Sequence, residues 1–299
     1  MTWTDTPIGA VELAALADDK PILMATSCAD WRISTGERYG DRVRWNEDGD
    51  FVAADASAAT MPARRAVDRH GQTATSPATA ETTWYLVFDA QYSEPVDCVY
   101  LEHDGLESVT DLSVAIEFSD ANDFSGAMAG GSLTISAGRC VTFLDDRWSG
   151  GGYVRIVFSA PSAFTPVIRE AWCGRRRQLR RAPDRPVWIE RVVTERVGDA
   201  STLGGAAYAP RVGRGVFSWS MVCRDTDDDL LDSETISGWW SDSRYGVCPS
   251  VVIPRPTSYP HRARIMRTTE PLVVRRVGWG ERTYSLELAE IPPYLGGES

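Results

Sequence analysis

Lysine is almost missing from this chain. Lys20 is the only one in 299 residues, so arginine supplies nearly all of the 31 lysine-plus-arginine positions. Histidine is scarce as well, with His70, His103 and His261 alone. None of the three stands in an HExxH run or beside a GxSxG turn, so neither a zinc-peptidase nor a serine-hydrolase centre is indicated. No apolar run reaches the roughly 18 residues that a membrane-spanning helix needs. The opening "MTWTDTPIGAVELAAL" has no basic stretch ahead of an apolar one, so no secretory signal is expected and synthesis in the cytoplasm is. The six cysteines, at 28, 98, 140, 173, 223 and 248, contain no CxxC pair. Cys98, Cys140, Cys173 and Cys223 lie inside apolar or alternating runs, which predicts buried free thiols rather than a disulfide framework or a zinc site.

What is present is ordinary for a globular protein: 43% hydrophobic and 24% charged residues, enough for a large core and two domains. The net charge of −11 works against general binding to DNA or to an anionic membrane. Arginine in place of lysine suits bidentate contacts to carboxylates at protein interfaces, and is also what codon bias in a GC-rich genome produces.

Along the chain, residues 1–50 read as an arm, with a short helix in "TPIGAVELAALADD" and a strand in "KPILMATSC". Residues 51–82 are rich in Ala, Thr and Ser without a sustained period, and read as loop. From residue 83 the period is two. "TWYLVFDA", "EPVDCVYLEHDG", "DLSVAIEFSD", "SLTISAGRCVTFLDD", "GGYVRIVFSAP" and "FTPVIREAWCG" are short alternating segments between turn signals. That is the pattern of an all-β sandwich, and no βαβ rhythm interrupts it. Alternation resumes in "VWIERVVTERVG" and "GRGVFSWSMVCRD". Acids at the start of "TDDDLLDSETISGWW" predict one helix over residues 227–240, and three further strands close the chain. The expected fold is a jelly-roll β-sandwich over residues 51–180, then a second β-sandwich over 181–299 with that one inserted helix.

Candidate chemistry is sparse. His103, between Glu102 and Asp104 at a strand end, suits an acid/base cluster, but a turn histidine bonded to backbone is the preferred reading. "DTDDDLLDSE" (residues 225–234) lacks the glycine and glutamate that an EF-hand loop requires. Asp145 and Asp146, in the Gly-rich "FLDDRWSGGGY", are the weak calcium candidates, ranked below a plain turn. No carboxylate pair is singled out for glycoside hydrolysis. No cofactor and no transition metal are expected. Trp84, Trp172, Trp188 and Trp219 fall at alternating strand positions and are assigned to core. Trp45 in "RVRWNEDGD" and Trp148 in the Gly-rich loop are assigned to the surface as candidate contacts for a glycan or a partner, with local packing ranked above that role for each.

The stretch "AWCGRRRQLRRAPDRPVW" (residues 171–188) stands out in an acidic chain. Between residues 171 and 216 there are ten arginines against four acids. Arg175, Arg176, Arg177, Arg180 and Arg181 are therefore candidate contacts to carboxylates of a neighbouring subunit. DNA is the rival, disfavoured by the acidity of the remainder, and a solvated linker is the bland alternative.

"TTWYLVFDAQYSEPVDCVYLEHDGL", "LSVAIEFSD", "FLDDRWSGGGYVRIVFSAP" and "IREAWCGRR" together resemble a discoidin-like (galactose-binding-like) jelly roll, similar to one in structural proteins of tailed bacteriophages. The second half, ending in "TTEPLVVRRVGWGERTYSLELAEI", resembles the β-sandwiches of phage tail-tip and baseplate components. His103 is followed by Asp104 where an amide is expected, so no role carries over to that turn. The resemblance implies a non-enzymatic virion protein of the tail, assembled in the host cytoplasm. Its implied partners are further copies of itself, other tail proteins and host cell-surface polysaccharide, with no nucleic acid and no membrane insertion. The alternative is a carbohydrate-binding protein or an accessory module of an extracellular hydrolase.

Overall fold

The computed structural model describes residues 19–26, 42–67, 73–89, 96–136, 138–148, 152–179, 184–196, 200–201, 207–208, 211–226, 230–243, 245–246, 248–276 and 281–290. Among these the chain is antiparallel β throughout, with one α-helix. It is an all-β sandwich, as the period-two pattern predicts.

One layer is a 5-stranded sheet in the order β2-β3-β8-β5-β6. Its strands are β2 (Val43–Asn46), β3 (Glu81–Asp89), β5 (Ser113–Ser119), β6 (Met128–Ser132) and β8 (Tyr153–Phe164). The facing layer holds β4 (Val96–His103), β7 (Arg139–Trp148) and β9 (Ile168–Gln178). Between the layers lies a core of Trp45, Trp84, Leu86, Phe88, Val99, Leu101, Ile116, Ile156 and Phe158, with the turn at Ala63–Val67 closing one side. Met128–Ser132, which the sequence presents as a Gly-rich bend, is an edge strand with most of its residues exposed.

β1 (Ile22–Thr26) pairs with β9 on one side and with β14 (Ser250–Ile253) on the other. Through it the facing layer continues into the second half of the chain. The path runs β7-β4-β9-β1-β14-β15-β17-β13-β10, with β16 also on β17, giving a 10-stranded sheet. These added strands are β10 (Asp184–Arg196), β13 (Arg211–Thr226), β15 (Arg264–Thr268), β16 (Val273–Arg276) and β17 (Glu281–Glu290). The small hairpin β11 (Ala200–Ser201) and β12 (Ala207–Tyr208) stands apart. Gly174 is required where β1 and β9 meet, because a Cβ there would lie 2.2 Å from the Ala25 carbonyl oxygen.

This sheet buries both faces. On one face, beyond the sandwich core, α1 (Leu230–Asp242) lays Ile236 and Trp239 against Leu23, Trp219, Met221, Val252, Met266 and Leu286. On the other, Ile22, Met24, Cys98, Tyr100, Trp172, Val251, Ile253 and Ala263 form a third apolar cluster. β4 therefore contributes Val99 and Leu101 to one core and Cys98 and Tyr100 to another, and its buried run of apolar residues follows from that. The sheet curls around the third cluster until edge strand β7 contacts the turn at Pro260–Arg262 that leads into β15. Cys98, Cys140, Cys173 and Cys248 are buried, while the side chains of Cys28 and Cys223 lie outside the described residues.

Candidate functional site

At the polar mouth of this curled sheet is a cleft of about 380 Å³ in which charged side chains converge, lined by Glu102, Asp104, Arg139, Arg169, His261 and Arg264 among others. Strand register builds it. Glu102 on β4 is paired across to Glu170 on β9 and to Arg139 on β7, so three charged residues form one row across three strands. One row inward are Tyr100, Trp172 and Val141. Two of these hold the carboxylates: the Tyr100 hydroxyl donates to Glu102 Oε2 at 2.9 Å and the Trp172 indole N–H to Glu170 Oε2 at 2.7 Å. Apolar cluster and polar mouth are thus joined by two amphipathic side chains.

The second half of the chain closes the mouth. Glu290 at the end of β17 receives Arg139 at 3.5 Å and Arg264 at 3.3 Å, and Arg139 also lies 3.4 Å from Glu102. At the rim Arg169 donates to Asp104 at 2.7 Å. Burial opposes the charge on Arg139, but Tyr100, Glu102 and Glu290 outweigh it and raise its pKa. Burial, together with the charge of Arg139, lowers that of Arg264. Burial and the nearby Glu102 push the Tyr100 phenol well up, so it stays a donor. Beside the cleft the exposed Tyr259 meets His261 edge-on at 6.0 Å, and Arg262 lies 4.7 Å over its ring.

His103 also lines this cleft. Its side chain is buried, Nε2 lies 2.9 Å from the Ser136 carbonyl and 3.4 Å from Cys140 Sγ, and Nδ1 lies 3.5 Å from Glu107. A carbonyl partner makes Nε2 the protonated nitrogen. Burial lowers the His103 pKa against its hydrogen bond and the nearby acids, and also raises that of Cys140. A protonated thiol and a neutral imidazole are the opposite of an activated nucleophile pair.

The other sequence candidates are dispersed. Trp45, expected on the surface, is wholly buried: it sits edge-on to Trp84 at 6.2 Å, and its N–H donates to Thr75 Oγ1 at 2.7 Å. Val43 and Trp45 alternate with Arg44 in a strand only four residues long, too short for the pattern to stand out from the polar "NEDGD" that follows. Trp148 is half-buried and stacks flat on Phe118, 5.2 Å away and 8° from parallel. Asp145 and Asp146 belong to β7 rather than to a loop, and their side chains lie outside the described residues. No group of three or more metal-ligating side chains occurs among the described residues.

Arg175, Arg176 and Arg177 are in β9, paired with Ala25, Met24 and Leu23. Arg177 reaches α1, where Asp242 Oδ2 accepts from Nη2 at 2.6 Å and from Nε at 3.0 Å. Gly238 makes the passage: a Cβ there would lie 2.6 Å from the guanidinium. Arg176 points to the opposite face, over Phe143, and its backbone N–H donates to buried Asp97 at 2.5 Å. Arg180 and Arg181 lie outside the described residues, as do His70, the side chain of Trp188 and Asp227, Asp228 and Asp229 of "DTDDDLLDSE". The helix begins at Leu230 and ends at Asp242.

No protein-family model and no curated protein matches this chain. Among solved structures, the chitosan-binding module 1 of a chitosanase/glucanase from Paenibacillus sp. IK-5 matches 45% of this chain and 94% of its own, at TM-score 0.34 and 14% identity. CBM32-1 from a family 31 glycoside hydrolase of Clostridium perfringens matches 44% and 94%, at TM-score 0.29 and 9% identity. A chain from the tail of an empty GTA particle matches 36% and 75%, at TM-score 0.22 and 17% identity. At these scores the likenesses are partial and distant.

Proposed function

We propose that the protein is a non-catalytic recognition protein that binds a saccharide in the cleft between β4, β7 and β15. The observation that carries this is the charge-compensated row of Glu102, Arg139, Glu290 and Arg264, fixed on strands and opening beside an exposed Tyr259. Guanidinium and carboxylate groups held in place match the donors and acceptors of sugar hydroxyls. Pairwise neutrality leaves little field to draw a polyanion, so neutral saccharides are the expected class and binding should depend weakly on salt. The test is affinity electrophoresis through neutral and acidic polysaccharides. Tyr259→Ala and His261→Ala, both exposed, should keep the fold and lose retardation. A wild-type protein retarded by no saccharide, or variants retarded like wild type, would sink this reading.

A second reading, assembly into a virion tail, is favoured by the long hairpin of β10 and β13. Registered pairs from Arg191↔Val216 to Arg196↔Arg211 extend beyond the part of β13 that pairs with β17. A two-stranded ribbon alone is marginal in water and gains from a partner. Negative-stain microscopy of concentrated protein checks it, with rings or tubes as the expected outcome.

A further inference from the structure

A second hollow, about 510 Å³, lies at the end of the sandwich between the start of β5 and the segment Leu133–Ile135. Its walls include Leu106, Val109, Leu112 and Ile135, and its acids are Glu107 and Asp111. No arginine, lysine or histidine lines it. Among the described residues the ion-pair partner of Glu107 is His103, at 3.5 Å, and burial holds that imidazole below its usual pKa. A hollow of mixed polar and apolar lining that holds two carboxylates and no basic residue calls for a partner that presents a positive charge beside an apolar side chain.

The same chain carries such a surface elsewhere. β16 pairs only with β17 and leaves its other edge open among the described residues. Val273 and Val274 are 39% and 51% exposed there, followed by exposed Arg275. Two adjacent exposed valines on an open edge strand are a surface that soluble proteins ordinarily blunt or cover.

We propose that the hollow takes β16 of a second copy, Val273 against its apolar walls and Arg275, which shares that strand face, between Glu107 and Asp111. Donor and acceptor surfaces differ, so the contact is head-to-tail and builds rings or filaments rather than a closed pair. It is independent of the saccharide cleft, and either can fail without the other.

Sedimentation equilibrium of the full chain over a concentration series, at low and high salt, tests it. Wild type should self-associate, less so at high salt. Glu107→Arg and Arg275→Glu should each keep the wild-type melting temperature and weaken association by about tenfold or more, as loss of a partly desolvated charge pair does. Both changes in one chain should restore association, because the exchanged charges again face each other. A wild-type chain that stays monomeric overturns the proposal. So do single variants that associate normally, and a double variant no better than the singles. Retardation by saccharide should be unchanged in all three variants.

Discussion

Arg177 and Asp242 make a nearly buried ion pair, their side chains 15% and 9% exposed. Removing one member leaves the other charge without compensation in a poorly solvated site, a loss of about 3–5 kcal/mol. Arg177→Ala should therefore destabilise the protein by about 3 kcal/mol or more in urea unfolding. Arg176→Ala should cost about 1 kcal/mol or less, since its ring contact is weak and its backbone bond to Asp97 survives. Equal losses would mean that the two faces of β9 are not distinguished in this way. His103 sets a pH dependence. Its folded pKa lies below 6.5, so below that value the unfolded chain takes up a proton that the folded chain resists. Its contribution to stability is complete above about 6.5 and falls as pH drops through the interval between the two pKa values. In His103→Gln the melting temperature should lose that part of its acid dependence between pH 7 and 5.

At the scale of elements, β1 is five residues long and holds two ladders at once, with β9 and with β14. A proline at Leu23 removes a donor and inserts a ring between two partners, so Leu23→Pro should abolish soluble folded protein, read by expression and circular dichroism. Ala129→Pro in the exposed edge strand β6 should be tolerated far better. The strands legible in the sequence were those with one face in the sandwich core, such as Thr83–Asp89 with Trp84, Leu86 and Phe88 inward. The arginine run was legible as charge but not as strand: in β9 the sandwich core ends at Cys173, and arginines take over the positions that face α1 and Phe143. Trp45 was misplaced because four residues carry too short a period. The cleft was invisible, because Glu102, Arg139, Arg264 and Glu290 are far apart in sequence and meet only when the sheet curls.

At the scale of the molecule, composition divides the chain near residues 50 and 180, but the sheet runs through both points. Tyr100, Trp172 and Cys98 belong to the first half of the sheet, and Val251, Ile253 and Ala263 cover them from the second. Each of these six is 0% exposed. A piece ending at Leu179 would keep the sandwich core but lose β14, β15 and the turn at Pro260–Arg262, uncovering one face of β4 and β9. Two large aromatic side chains alone bring a few hundred Å² of apolar surface to water, a patch that promotes association. The loss also leaves Arg139 without its ion pair to Glu290. Residues 1–179 expressed alone should therefore bind a hydrophobic dye and aggregate, and the intact chain should melt in one calorimetric transition spanning both halves. Two separated transitions, or a monomeric, dye-silent piece, would mean that the shared sheet does not couple the halves. The junction would then be a hinge between independent units, and the cleft a gap between domains free to open.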